Sequence, residues 1–117
     1  MSRSWVFYLE DILESARKVQ RYTEGLTVEQ FHSQDVVFDA VVRNLEIIGE
    51  AAKHLPPDAR AMMPTVDWNK VAGFRDVIVH GYFGLDVHVI WDVVQSKIPA
   101  LVTSVEHALH LVKDQAR

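Results

Sequence analysis

Apolar residues along the chain recur at intervals of three and four, the spacing that lines one face of an α-helix. From Trp5 to Thr23 they fall at Trp5, Leu9, Ile12, Ala16, Val19 and Tyr22, and Gly25 is placed to end that helix in the left-handed conformation. Thr27 with Gln30 three residues later is a capping box for a short helical turn ending near Phe31. Ser33 or Asp35 then caps a long helix to about His54, with Val37, Val41, Leu45, Ile48 and Ala52 on its buried face and Pro56-Pro57 beyond its end. A further turn is expected between Asp58 and Met63. Asp67 caps a helix from Trp68 to about Val79, where Trp68, Val71, Ala72, Phe74 and Ile78 supply apolar contacts and Gly73 costs stability. Gly81 and Gly84 mark a loop, and Asp86 caps a helix from Val87 to about Lys97. Pro99 either opens a last helix or kinks a continuous one, which reaches about Asp114 through Ile98, Leu101, Val105, Leu109 and Val112.

The pattern predicts an all-α fold, an antiparallel helical bundle with four main helices plus short helical turns. No strand is needed, although the β-branched Val36-Val37 and Val77-Ile78-Val79 are the segments that argue most against helix. At 117 residues the chain is sized for a single domain, 1–117, without internal repeat or linker. Tyr22 and Phe31 are expected in the core, and Trp5, Trp68 and Trp91 as core or interface anchors.

Composition narrows the setting. A hydrophobic share of 49% with 24% charged residues is globular. With no cysteine, disulfide frameworks and thiolate metal sites are excluded. Arg3, Glu10, Asp11 and Glu14 interrupt any signal-peptide core, and no apolar run approaches the ~18 residues that span a bilayer. A soluble, cytoplasmic protein is expected. The net charge of -4 argues against sequence-blind wrapping of a nucleic-acid backbone but leaves room for a compact site holding a few nucleotides.

Candidate chemistry gathers in Arg75-Asp76-Val77-Ile78-Val79-His80-Gly81-Tyr82. Arginine grips phosphate through a planar fork of donors, and histidine gives or takes a proton near neutral pH. Together they supply what cleavage of RNA by its own 2′-hydroxyl requires: charge stabilisation on the phosphorane and a proton carrier beside it. Arg75 and His80 are five residues apart, about 140° around an ideal helix, so they do not share a face. They converge only if the helix ends between them, which Gly81 favours, or if a second subunit brings the other member.

The motif, Arg, a polar residue, three spacers, His, any residue and Tyr, resembles that of the HepT-type toxins of the HEPN superfamily. The likeness extends to Arg43-Asn44-Leu45-Glu46-Ile47-Ile48-Gly49-Glu50-Ala51-Ala52-Lys53, to Trp68, to Tyr82-Phe83-Gly84-Leu85-Asp86, and to Trp91 with Ile98-Pro99-Ala100-Leu101. It implies a metal-independent endoribonuclease without cofactor, a homodimer with Arg75, Asp76 and His80 as catalytic-site residues. It also implies a toxin paired with a minimal nucleotidyltransferase antitoxin that transfers AMP to Tyr82. The rival expectation is a catalytically silent helical module that only docks such a partner.

Other constellations carry less. Glu46 and Glu50, with Arg43 a turn before, either orient the arginine or form a solvated face. His54 reads as a structural cation at a helix end. Glu29 and His32 make half of a di-iron motif whose second half the chain lacks, and His107 with His110 has no third ligand nearby in sequence. Arg17, Lys18 and Arg21 form the only basic cluster, read as a solvated helix face.

Overall fold

The computed structural model describes residues 4–81 and 84–115. These residues form helices and turns only: α1 (Ser4–Thr23), α2 (Val28–Ser33), α3 (Asp35–Lys53), α4 (Pro57–Ala61), α5 (Trp68–Gly81), α6 (Val87–Asp92) and α7 (Ile98–Gln115). The expected all-helical bundle is what the chain adopts, and both β-branched segments lie inside helices.

α1 packs along α3, α3 along α5, and α7 against α1. Contacts fix the directions. Tyr8 near the start of α1 stacks on His54 just past α3, and Lys113 near the end of α7 reaches Glu10 in α1, so α3 and α7 both run antiparallel to α1. The apolar stripes meet in one core, with Leu9, Ile12, Ala16 and Val19 of α1 against Val41, Leu45, Ile48 and Ala52 of α3 and Ile98, Leu101, Val105 and Leu109 of α7. Phe31 plugs the end of this core, tilted against Phe38 and Trp91 at centroid distances of 5.4 and 5.1 Å.

Local signals act much as their chemistry dictates. Gly25 takes a φ of +76°, the left-handed conformation that ends α1. Thr27 and Gln30 exchange both capping-box hydrogen bonds. Asp67 accepts from the Lys70 amide at 3.2 Å, and Asp86 accepts from the His88 amide at 2.8 Å.

Three expectations are corrected. Tyr22 is exposed rather than in the core; Thr23 takes the inward position, its hydroxyl satisfied by the Val19 carbonyl at 2.8 Å. Neither Ser33 nor Asp35 caps α3: Gln34 holds that position without a side-chain bond, the Ser33 hydroxyl turns back to the Gln30 carbonyl, and Asp35 sits in the first turn, where the helix dipole favours it. α5 continues past Val79 to Gly81. The last helix, α7, opens with Pro99 in its first turn, as one of the two readings of that proline expected, and a π-helical turn, Val93–Lys97, joins it to α6, with the Ile98 amide donating to the Val93 carbonyl. That wider turn lies just ahead of the proline, whose ring nitrogen cannot donate to the preceding turn.

Candidate active site

The site grows from the crossing of α3 and α5. Gly49 presents bare backbone to α5 so closely that a β-carbon there would lie 2.5 Å from the Arg75 β-carbon. Arg75 is thereby seated directly over α3, and its Nε pairs with Glu50 Oε2 at 3.2 Å. The other Glu50 oxygen faces His54 Nε2 at 3.7 Å, and the His54 ring lies on Tyr8, centroids 4.5 Å apart and 10° from parallel. The guanidinium is therefore aimed by a carboxylate that is itself flanked by a stacked imidazole. It is only about one-third exposed.

Asp76 works through two different atoms. Its carboxylate accepts from Lys53 Nζ at 3.3 Å and from Arg75 at 3.5 Å. The Lys53 ammonium, and behind it the Arg75 guanidinium, hold that carboxyl below its ordinary value of 3.8. Its backbone carbonyl lies 2.9 Å from His80 Nδ1. A carbonyl can only accept, so Nδ1 carries the proton in this bond and neutral His80 keeps the bare lone pair on Nε2. That is the tautomer a general base needs, and His80 is exposed.

Because α5 is helical through Gly81, the helix does not end between the two motif residues. Arg75 and His80 are separated by about 140° around the axis and about 7.5 Å along it. Within one chain the structure brings Arg75, Asp76, Lys53 and Glu50 together and leaves His80 on another face. Tyr82 lies outside the described residues.

Among the remaining candidates, Arg43 approaches Glu46 only to 4.0 Å. The basic cluster is largely spoken for: Arg17 pairs with Glu106 at 2.8 Å and Lys18 with Glu14 at 3.4 Å. His110 pairs with Asp114, Glu29 and His32 are exposed on α2, and no three acidic or histidine side chains gather around a common point among the described residues. No helix of the described residues is long and apolar enough to cross a membrane.

A family model described as ribonuclease HepT-like matches residues 12–108, nearly the whole chain and all of the α3–α5 crossing. The chain belongs to the ribonuclease HepT-like family. It is 42% identical to a probable ribonuclease HepT of Thermococcus cleftensis over 101 residues, covering 86% of this chain and 92% of that one. It is 37% identical to a putative RNase of Methanocaldococcus jannaschii over 92% of this chain and 86% of the relative. A putative RNase of Caldanaerobacter subterraneus is 39% identical, with 91% and 95% covered. No solved structure matches the chain significantly.

Sequence reasoning missed two contributors to the candidate site of this HepT-like protein. Lys53 is an ordinary surface lysine in the sequence, and only the fold places it against Asp76. Gly49 carried a usable signal: a glycine inside a long, otherwise strong helix costs about 1 kcal/mol and implies a close backbone approach.

Proposed function

We propose that this protein is a metal-independent endoribonuclease, the toxin of a toxin-antitoxin pair, in which two subunits complete each catalytic cleft. The observation that carries the reading is the helix end itself, a carboxylate-aimed guanidinium on one face of α5 and an imidazole with its Nε2 free on another. His80 Nε2 removes the proton from an RNA 2′-hydroxyl, and the oxygen attacks the adjacent phosphorus. Arg75 stabilises the charge of the phosphorane. The bond to the 5′-oxygen breaks, and that oxygen takes a proton from a histidinium, leaving a 2′,3′-cyclic phosphate and a 5′-hydroxyl.

The need for a second copy follows from the divergence of Arg75 and His80. Val77 and Val79, 56% and 45% exposed, place two apolar side chains on this stretch of α5, which suits a two-fold contact between copies of the helix. Asp76 serves by holding His80 in its tautomer and Arg75 in its pose. Tyr82 follows the motif closely enough for an AMP group on its phenol to put a bulky anion where substrate phosphate belongs. A small nucleotidyltransferase making that transfer would act as antitoxin, and Tyr82→Phe would keep nuclease activity while escaping neutralisation.

The test is cleavage of total RNA by purified protein. Arg75→Ala and His80→Ala should each lose about 10²–10³ in rate with helicity and oligomeric state unchanged. Full activity in either variant would remove the mechanism.

A further inference from the structure

A second feature adjoins Arg75. The guanidinium forms one wall of a cleft of about 270 Å³ between α1 and α3, whose other walls include Tyr8, Asp11, Arg43, Glu46 and His54. This is the low end of small-molecule pocket size, room for one planar group rather than a run of nucleotides. Its lining sets the carboxylates of Asp11, Glu46 and Glu50 against the cations of Arg43 and Arg75, so it lacks the net positive charge of a phosphate track. Asp11 makes no hydrogen bond or ion pair among the described residues, and Glu46, only 28% exposed, has its nearest cation at 4.0 Å. Glu50 is engaged by Arg75 and His54. Two carboxylates without close donors thus line a cleft together with the stacked rings of Tyr8 and His54, each covering one face of the other and both partly open to solvent.

We propose that this cleft is the subsite for the nucleobase next to the scissile phosphate, and that it selects a base with an amino-bearing edge, guanine above all. The proposal rests on the reading of Arg75 as the phosphate-binding residue, since that puts the flanking nucleoside within reach of the cleft. Bases splayed from single-stranded RNA stack on tyrosine and histidine rings, a contact that tolerates any base. Choice among bases then falls to hydrogen bonding. Asp11 and Glu46 only accept, so they favour an edge that donates, and guanine offers adjacent N1–H and N2–H groups to the two oxygens of one carboxylate. Uracil offers one donor between two carbonyls and sets those carbonyls against the acids.

The experiment has two independent arms. In the first, 5′-GMP and 5′-UMP are titrated into the protein while the ring-proton resonances of Tyr8 and His54 are followed by NMR. The phosphate is common to both probes, so any difference reports the base. GMP should shift both rings and bind more tightly than UMP. Tyr8→Phe should keep that binding and Tyr8→Leu should weaken it about 5- to 150-fold, the loss expected for one stacked base. Glu46→Gln or Asp11→Asn should erase most of the GMP preference, GMP binding more weakly and UMP no more weakly than in wild type. In the second arm, short RNAs differing only in the base beside one cleavage site are digested, and guanine should give the highest kcat/KM. RNA cleaved without base preference, together with Tyr8 and His54 resonances that move with neither mononucleotide, overturns the subsite and leaves the nuclease reading standing. A GMP preference in a protein that cuts no RNA supports a guanine-binding cleft and removes the nuclease reading instead.

Discussion

α1 and α5 are both helices, yet they are held in place differently. Along α1, four side chains, Leu9, Ile12, Ala16 and Val19, have no exposure at all, and each faces the common core. Along α5 only Trp68 and Ile78 are buried, while Val77 and Val79 point to solvent. α1 is anchored by burial along its length, whereas α5 buries fewer side chains, with Val71, Ala72 and Phe74 only partly covered, and adds a close backbone contact at Gly49 and ion pairs from Glu50 and Lys53. The helix that bears the motif is therefore the less deeply buried of the two, and it leaves Val77 and Val79 exposed. In the HepT-like protein the best-buried helices and the helix that carries the motif meet at one crossing, α3 on α5.

The contrast is broken most forcefully in the core. Ile12→Ala removes a fully buried side chain and should cost about 2–5 kcal/mol in urea unfolding, through lost burial and a residual cavity. Val77→Ala on the outer face of α5 should change monomer stability by less than about 0.5 kcal/mol. Comparable losses in the two variants would show that α5 is buried in solution far more than the isolated chain indicates.

How much of this was legible depends on which force decides each position. The α1 and α3 stripes were readable because burial at helical spacing is a strong, repetitive signal. At the edge of a stripe the signal splits: positions 22 and 23 are both one turn from Val19, and Thr23 wins inward because its hydroxyl can be satisfied there. Gln34 as the start of α3 was not legible, since Ser33 and Asp35 are better caps in isolation and both are otherwise engaged. The motif residues could be found by type and spacing. Of their partners, Glu50 was among the residues offered for orienting the arginine, but Lys53 could not be found, because it reaches Asp76 only through the α3–α5 crossing, a contact between residues more than twenty apart in the chain.

That crossing gives the next test. Gly49→Ala would gain about 1 kcal/mol of helix propensity on its own. Here the new β-carbon meets the Arg75 β-carbon, an inflexible part of that side chain, so the helices must separate. Overpacking of this kind costs about 1–3 kcal/mol, so the net change in stability should be small or moderately unfavourable. RNA cleavage should fall much further than stability, because Arg75 moves off Glu50. Urea unfolding and kcat measured on the same preparation separate the two. A variant with unchanged cleavage would show that the close approach does not position Arg75.

The outer face of α5 is probed by Val77→Asp. The wild-type protein should sediment at micromolar concentration with twice the 13.4 kDa chain mass. The charged variant should sediment as a folded monomer with cleavage reduced in proportion. An unaltered dimer would place the two-fold contact elsewhere.

The smallest effect belongs to the polar anchoring of α5, and it depends on pH. Asp76 has a folded-state pKa below its ordinary value of 3.8, chiefly because Lys53 donates to it and carries positive charge, with Arg75 adding to both effects. A carboxyl with a depressed folded pKa binds fewer protons in the folded than in the unfolded chain through this range, so its stabilising contribution is present above about 3.8 and disappears as pH falls through the folded value. Asp76→Asn has no such titration. Wild type should therefore exceed Asp76→Asn slightly in urea midpoint at pH 6 to 7, and the gap should close as pH drops below 4. The site is open to solvent, so salt should narrow the gap at neutral pH as well. A gap that persists at pH 3, or one that widens there, would mean that Asp76 steadies α5 through something other than its charge.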